Sequence, residues 1–115
     1  MSTIKVDTIK NTSNVEVFTA KAWVNFDGTT NTGGTCTIRA SGNVTSVTDI
    51  ATGIYIVNFT TSMPDTSYST LVTCQQAEFA GMQSPTTSSV YVYCVSRQDS
   101  LSRVDNALMN VAVFR

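Results

Sequence analysis

Eight carboxylates, three thiols and 32 Ser and Thr hydroxyls are the chemistry-bearing side chains of this 115-residue sequence, and no histidine accompanies them. Without an imidazole the chain lacks the commonest general base, nucleophile activator and metal ligand. No serine sits in a GxSxG turn. The carboxylates are Asp7, Glu16, Asp27, Asp49, Asp65, Glu78, Asp99 and Asp105, and all but Asp7 and Glu16 fall in predicted turns or loops. Glycoside hydrolysis needs two carboxylates at a set separation across the scissile bond. The spacing here singles out no pair, and no aromatic cluster marks a sugar cleft. Asp27, Asp49 and Asp65 lack the spacing of a calcium loop. Cys36, Cys74 and Cys94 are odd in number and include no CxxC pair, which argues against a disulfide framework or a zinc site. They read as small buried hydrophobes, and one pair can oxidise if the fold brings two together. The sequence therefore reads as non-enzymatic, with no cofactor and no metal.

Recognition remains as the other chemistry to weigh. Two connections carry side chains able to contact a ligand: Gln76–Ser89 with Glu78, Phe79 and Met82, and Arg97–Asn106 with Arg97, Asp99 and Arg103. Phe79 in a polar loop reads first as a plug pinning that loop to the core, and second as a ring that stacks on a sugar. The only tryptophan, Trp23, shares the polar face of its predicted strand with Lys21 and Asn25, because side chains alternate with a period of two. A tryptophan in that setting is an interface anchor. Val15, Val17, Ile54 and Ile56 join it as expected intersubunit contacts.

Those residues must be positioned by strands. Phe18, Ala20, Ala22, Val24 and Phe26 mark one face of an extended stretch over Val15–Phe26. Asp27–Gly34 reads as a turn, and Thr35–Ala40 alternates again. Val44, Val47 and Ile50 recur every third residue, which predicts a bulged strand. Ile54–Thr60 is the strongest strand, ended by Met63-Pro64-Asp65 because proline cannot continue a ladder. Further strands are expected at Tyr68–Gln75, Val90–Ser96 and Ala107–Phe114. The connection Gln76–Ser89 reads as a long loop, with a short turn of helix over Gln76–Met82 as the only helical expectation. Short strands at this spacing predict an all-β fold, an antiparallel β-sandwich or jelly roll. An extended N-terminal arm over residues 1–20 precedes a head domain over 21–115. Ile54–Phe59, Val90–Val95 and Ala107–Phe114 are apolar on both faces, although a sheet of this kind usually keeps one face wet. A symmetric neighbour is therefore expected to cover the outer side.

A formal net charge of −1 gives no basic field for nucleic acid. No apolar run approaches the 18 residues that would suggest a membrane span. The N-terminus lacks the apolar core of a signal peptide, so the expectation is a soluble protein made in a cytoplasm.

The segments AWVNFDG (Ala22–Gly28), IRASGNVTSVTD (Ile38–Asp49) and YIVNFTTSMPDTSYS (Tyr55–Ser69) resemble a domain that recurs at the C-terminal end of bacteriophage tail-fibre proteins, including many phages of marine hosts. The opening STIKVDTIKN (Ser2–Asn11) resembles the starts of cyanophage structural proteins, and NVAVFR (Asn110–Arg115) suits the domain's last strand. Together these segments cover about half the chain. The resemblance implies a virion structural protein made in the host cytoplasm, a homotrimer whose loops contact a host surface glycan or protein. Its arm would attach to other virion proteins. A capsid or tail decoration protein is the alternative role.

Overall fold

The structure, a computed structural model, describes residues 3, 7–76, 78–98 and 101–115. Eight strands follow in chain order: β1 Ala22–Thr32, β2 Thr35–Gly42, β3 Val44–Ala51, β4 Ile54–Phe59, β5 Ser69–Cys74, β6 Phe79–Gln83, β7 Ser89–Val95 and β8 Met109–Phe114. All pair antiparallel in one sheet of order β5-β8-β1-β2-β3-β4-β7-β6. The sheet curls until its two edge strands, β5 and β6, lie side by side. The all-β antiparallel architecture expected from the sequence holds. The two packed layers are opposite walls of a single, nearly closed sheet.

The core fills the inside of that curl. In β4 and β7 every second residue is buried: Tyr55, Val57 and Phe59, then Val90, Val92 and Cys94. β1 contributes Ala22, Val24 and Phe26, and β8 contributes Met109, Val111 and Val113. Edge-to-face ring pairs join opposite walls, Phe26 with Tyr55 at 5.2 Å and Phe59 with Tyr68 at 5.7 Å between centroids. Such pairs add about 0.5–1.5 kcal/mol beyond the area they bury.

Turns and bulges follow local chemistry. The DGTTNT segment continues β1 instead of turning. The reversal is confined to Gly33-Gly34, both left-handed at φ 63° and 90°, a conformation glycine adopts without steric cost. Asn43, at φ 56°, ends β2, and its amide bonds the carbonyls of Lys21 and Thr61. β3 is bulged as its three-residue spacing predicts, with register shifts between Val44 and Ser46 and between Asp49 and Ala51. Those shifts keep Val44 and Val47 inside and send Ile50 out, 45% exposed.

Two expectations are corrected. Phe79–Gln83 is strand β6 and carries no helical turn, because its alternation pairs it with β7. The described part of the N-terminal arm is not extended. Ile9 and Val17 join through a backbone bond of 2.6 Å, and Asn11 turns the chain by accepting from the amides of Ser13 and Val15. The alternation of Ile4 and Val6 lies outside the described residues, as does Asp99.

Candidate functional site

The outer surface of the curled sheet presents two faces of different chemistry. The first spans β4, β7 and β6. The register sets Ile54 beside Tyr93 and Tyr93 beside Gly81, then Ile56 beside Tyr91 and Tyr91 beside Gln83. Val95 pairs with Phe79 at one end. Ile54, Ile56, Tyr91, Tyr93 and Val95 are each half-buried by one another, whereas Phe79 is 51% exposed. The phenol end of Tyr93 lies across Gly81, where a Cβ would collide with it. The guanidinium of Arg103 caps the same ring, 4.2 Å from its centroid, a cation–π contact worth about 0.5–1 kcal/mol at an exposed site. Arg103 is placed by an isolated bridge to Val95, and Glu78 accepts from the Arg97 amide at 2.8 Å.

The second face spans β2, β1, β8 and β5. Here Gly42, Trp23, Ala112 and Leu71 form one row across four strands, and Ala40, Asn25, Asn110 and Thr73 form the next. The pyrrole side of the Trp23 indole lies across Gly42, again where no Cβ fits. Trp23 is 42% exposed and Leu71 56% exposed, with Ala112 low between them. A shallow groove of about 430 Å³ results. Beside it a directed chain of hydrogen bonds crosses the strands. Arg39 donates to Asn25 at 3.3 Å, Asn25 donates to Asn110 at 2.6 Å, and Asn110 donates to Thr73 at 3.4 Å. Arg39 is also balanced by Asp27 at 3.7 Å. The register shift between Asn25 and Phe26 brings Arg39 onto this face.

The titratable groups inside the fold serve architecture. The Tyr55 hydroxyl lies 2.9 Å from the Gly28 carbonyl and 3.1 Å from the Asp105 carboxylate, which also accepts from the Gly53 amide at 2.8 Å. That cluster fastens the segment before β8 to β1 and β4. Burial, then the charge of Asp105, pushes the Tyr55 phenol up, so it stays protonated as a donor. Burial and the neighbouring Asp105 also push the Asp49 carboxyl up. The sulfurs of Cys74 and Cys94 lie 3.4 Å apart, so the fold does bring two thiols together. Burial pushes Cys94 up to about 12, with the Cys74 contact adding to it, and burial pushes Cys36 up to about 12 as well. The thiolate is the reactive form, so at neutral pH Cys36 and Cys94 are packing residues. Among the described residues no group of three or more metal-ligating side chains converges.

The residues singled out from sequence distribute unevenly. Glu78, Phe79, Arg97 and Arg103 do gather at one end of the β6–β7 hairpin. Met82 does not join them: it pairs with Val92 and packs inward against the core. Phe79 is no plug, since its side chain faces outward beside Val95. The expected intersubunit set divides among three surfaces. Ile54 and Ile56 lie on the β4 face, Trp23 lies on β1 with two strands intervening, and Val15 and Val17 lie exposed in the N-terminal hairpin. Sequence reasoning passed over Tyr91, Tyr93, Asn110 and the two glycines beneath the aromatic rings. The signal for them is cross-strand register, which a single sequence does not carry. Comparison with protein-family models, curated proteins and solved structures finds no match for this chain.

Proposed function

We propose that this chain is a non-enzymatic structural module of a bacteriophage virion, a tail-fibre-like β head that works as a homotrimer and contacts the host cell. The observation that carries the reading is the β4–β7–β6 face. Its Ile54, Ile56, Tyr91, Tyr93, Val95 and Phe79 form a contiguous apolar surface on the outside of a small sheet. Patches of that kind mark association sites. Covering this one with a second copy gains about 25 cal/mol for each Å² of apolar surface removed from water. The phage assignment rests on the resemblance of Ala22–Gly28, Ile38–Asp49 and Tyr55–Ser69 to tail-fibre C-terminal domains. In this reading residues 21–115 are the head, and residues 1–20 attach it to the particle.

Light scattering of the purified protein at micromolar concentration tests the assembly, with three chains per particle expected. Ile56→Lys places an ammonium in the covered face and is expected to give single chains. A wild-type protein that stays a single chain overturns the reading. The exposed N-terminal hairpin, with Val15 57% and Phe18 76% exposed, supports the alternative role of a capsid or tail decoration protein seated on a neighbouring virion protein. Labelled protein found on the tail supports host contact, and label found on the capsid shell supports decoration.

A further inference from the structure

The curl of the sheet closes on a seam, where β5 and β6 lie side by side. β5 is hydrogen-bonded along one edge to β8, and β6 along one edge to β7. Among the described residues no ladder joins β5 to β6 across the seam. Strand edges without a ladder are held by side-chain packing alone, and a sheet opens there first. Alternation turns Thr70, Val72 and Cys74 of β5 inward, while Ser69, Leu71 and Thr73 are exposed. The Thr70 hydroxyl is buried without a hydrogen-bond partner, so side chains at the seam are not fully complementary. Cys74 stands at the end of β5. Its sulfur accepts from the Cys94 thiol of β7 at 3.4 Å and donates to the Glu78 carbonyl at 3.5 Å. Both backbones are fixed. The Cys94 amide donates to the Gly53 carbonyl at 2.9 Å, and its carbonyl accepts from the Val104 amide at 3.1 Å. Next to Cys74, the Gln75 amide donates to the Leu108 carbonyl, and the Gln75 carbonyl accepts from the Asn106 amide at 3.1 Å. The β6 residue in register with Cys94 is Ala80, a side chain small enough for Cys74 to reach past it.

We infer that Cys74 and Cys94 are a cross-linking site, a thiol pair that a small-molecule disulfide oxidises to a covalent latch fastening β5 to β7 over the seam. The sulfurs have to approach by roughly 1.4 Å to reach a disulfide bond length of about 2.05 Å. Half-buried Cys74 is the thiol that the reagent meets first. It exchanges with the reagent RSSR, forming Cys74–S–SR and releasing one RSH. The Cys94 sulfur then displaces the second RSH from the Cys74 sulfur. The two protein thiols are oxidised, the reagent is reduced to two RSH, and their two protons leave with it. Burial keeps the Cys94 thiol protonated, which makes its attack the slow step. Cys36 on β2 has two strands between it and β5 and two between it and β7, and it stays a free thiol. In a reducing cytoplasm the pair remains open, and in an oxidising setting it closes. The latch lies within one chain and needs neither the trimer nor host contact.

The full folded chain is incubated with excess glutathione disulfide, and its mass, its peptide map and its thermal unfolding are compared with those of the reduced protein. A product lighter by two hydrogens is expected, with Cys74 and Cys94 joined in one peptide pair and Cys36 alone still alkylated after denaturation. The cross-link closes a loop over a sequence separation of 20 residues, and such a loop is expected to raise Tm by roughly 10 °C. Adding a reductant is expected to restore the lower Tm. Cys74→Ser keeps the size of a side chain that is only half-buried, and its Tm is expected to be unmoved by the reagent. Cys36→Ala is expected to cross-link as the wild type does. A mixed disulfide that stays on Cys74 overturns the inference, as does a bridge that uses Cys36 or joins two chains. A Cys74–Cys94 bridge that leaves Tm unchanged or lowers it overturns the latch as well. Light scattering of the oxidised and reduced samples is expected to give the same particle mass, so the latch and the trimer reading stand or fall separately.

Discussion

Trp23 and Tyr93 are built alike and finished differently. Each sits on an outer face, each is in register with a glycine on the neighbouring strand, and each lays its ring where that glycine leaves no Cβ in the way. Tyr93 is then closed over by Arg103 and flanked by Ile54, and it becomes part of a continuous apolar surface. Trp23 is left bare, with an amide row alongside. The same local device thus sits in a continuous apolar surface at one place and at the edge of a shallow groove, with a hydrogen-bonded amide row alongside, at the other. What sets the difference is the next residue along each strand pair: Ile56 and Tyr91 beside Tyr93, Asn25 and Asn110 beside Trp23.

That contrast can be broken from either side. The largest effect is expected on the apolar face, where the double variant Ile54→Lys, Tyr91→Lys buries two unpaired ammonium groups. Association is expected to weaken by more than about a hundredfold, since uncompensated charge at an interface costs several kcal/mol, and sedimentation velocity reads it as loss of the assembled species. Trp23→Lys is expected to leave sedimentation unchanged. Next come the glycines. Gly42→Ala and Gly81→Ala each force a ring off its bed and are expected to cost about 1–3 kcal/mol in overpacking. Each lowers Tm by several degrees in thermal unfolding, at about 4 °C per kcal/mol for a chain of this size. Only Gly42→Ala is expected also to red-shift indole emission. A smaller effect follows from Arg103→Ala, which makes the two aromatics alike. Loss of about 0.5–1 kcal/mol is expected from chemical denaturation, with Tyr93 becoming more reactive to iodination.

The smallest effect is acid sensitivity at the C-terminal end of β8. Arg115 donates to Asp65 at 2.8 and 2.7 Å and holds its carboxyl down to about 2, with the Ser67 amide assisting. The folded value lies below the ordinary carboxylate range of the unfolded chain. The contribution is therefore fully present above about pH 4 and is lost as pH falls through about 2. Arg115→Gln is expected to flatten that limb of the stability–pH curve slightly, because the pair is exposed and screened by solvent.

Much of the fold was legible because alternation with a period of two is strong in β1, β2, β4, β7 and β8. Tyr55, Val57 and Phe59 point inward as their spacing requires. The bulged β3 was legible from its three-residue spacing, since each bulge adds one residue to the count. β6 is not legible because Gly81 interrupts its apolar pattern, it ends on the polar Gln83, and the flanking Gln76 and Ser84 look like loop. The strand is held by pairing with β7, a long-range contact that local propensity does not register. The same cause hid most of the site. Trp23 and Asn25 share a face by simple alternation, but nothing local says that Ala112 and Asn110 of β8 lie beside them. Phe79 was misjudged because its direction depends on that unseen pairing with Val95.

Hydroxyl-radical footprinting of the protein at high and at low concentration, read residue by residue by mass spectrometry, tests the division of labour between the two faces most directly. Phe79, Tyr91 and Tyr93 are expected to be shielded at high concentration and oxidised on dilution, while Trp23 is oxidised equally at both. Shielding of Trp23 at high concentration, with those three aromatics oxidised throughout, would reverse the assignment of the faces and contradict the account.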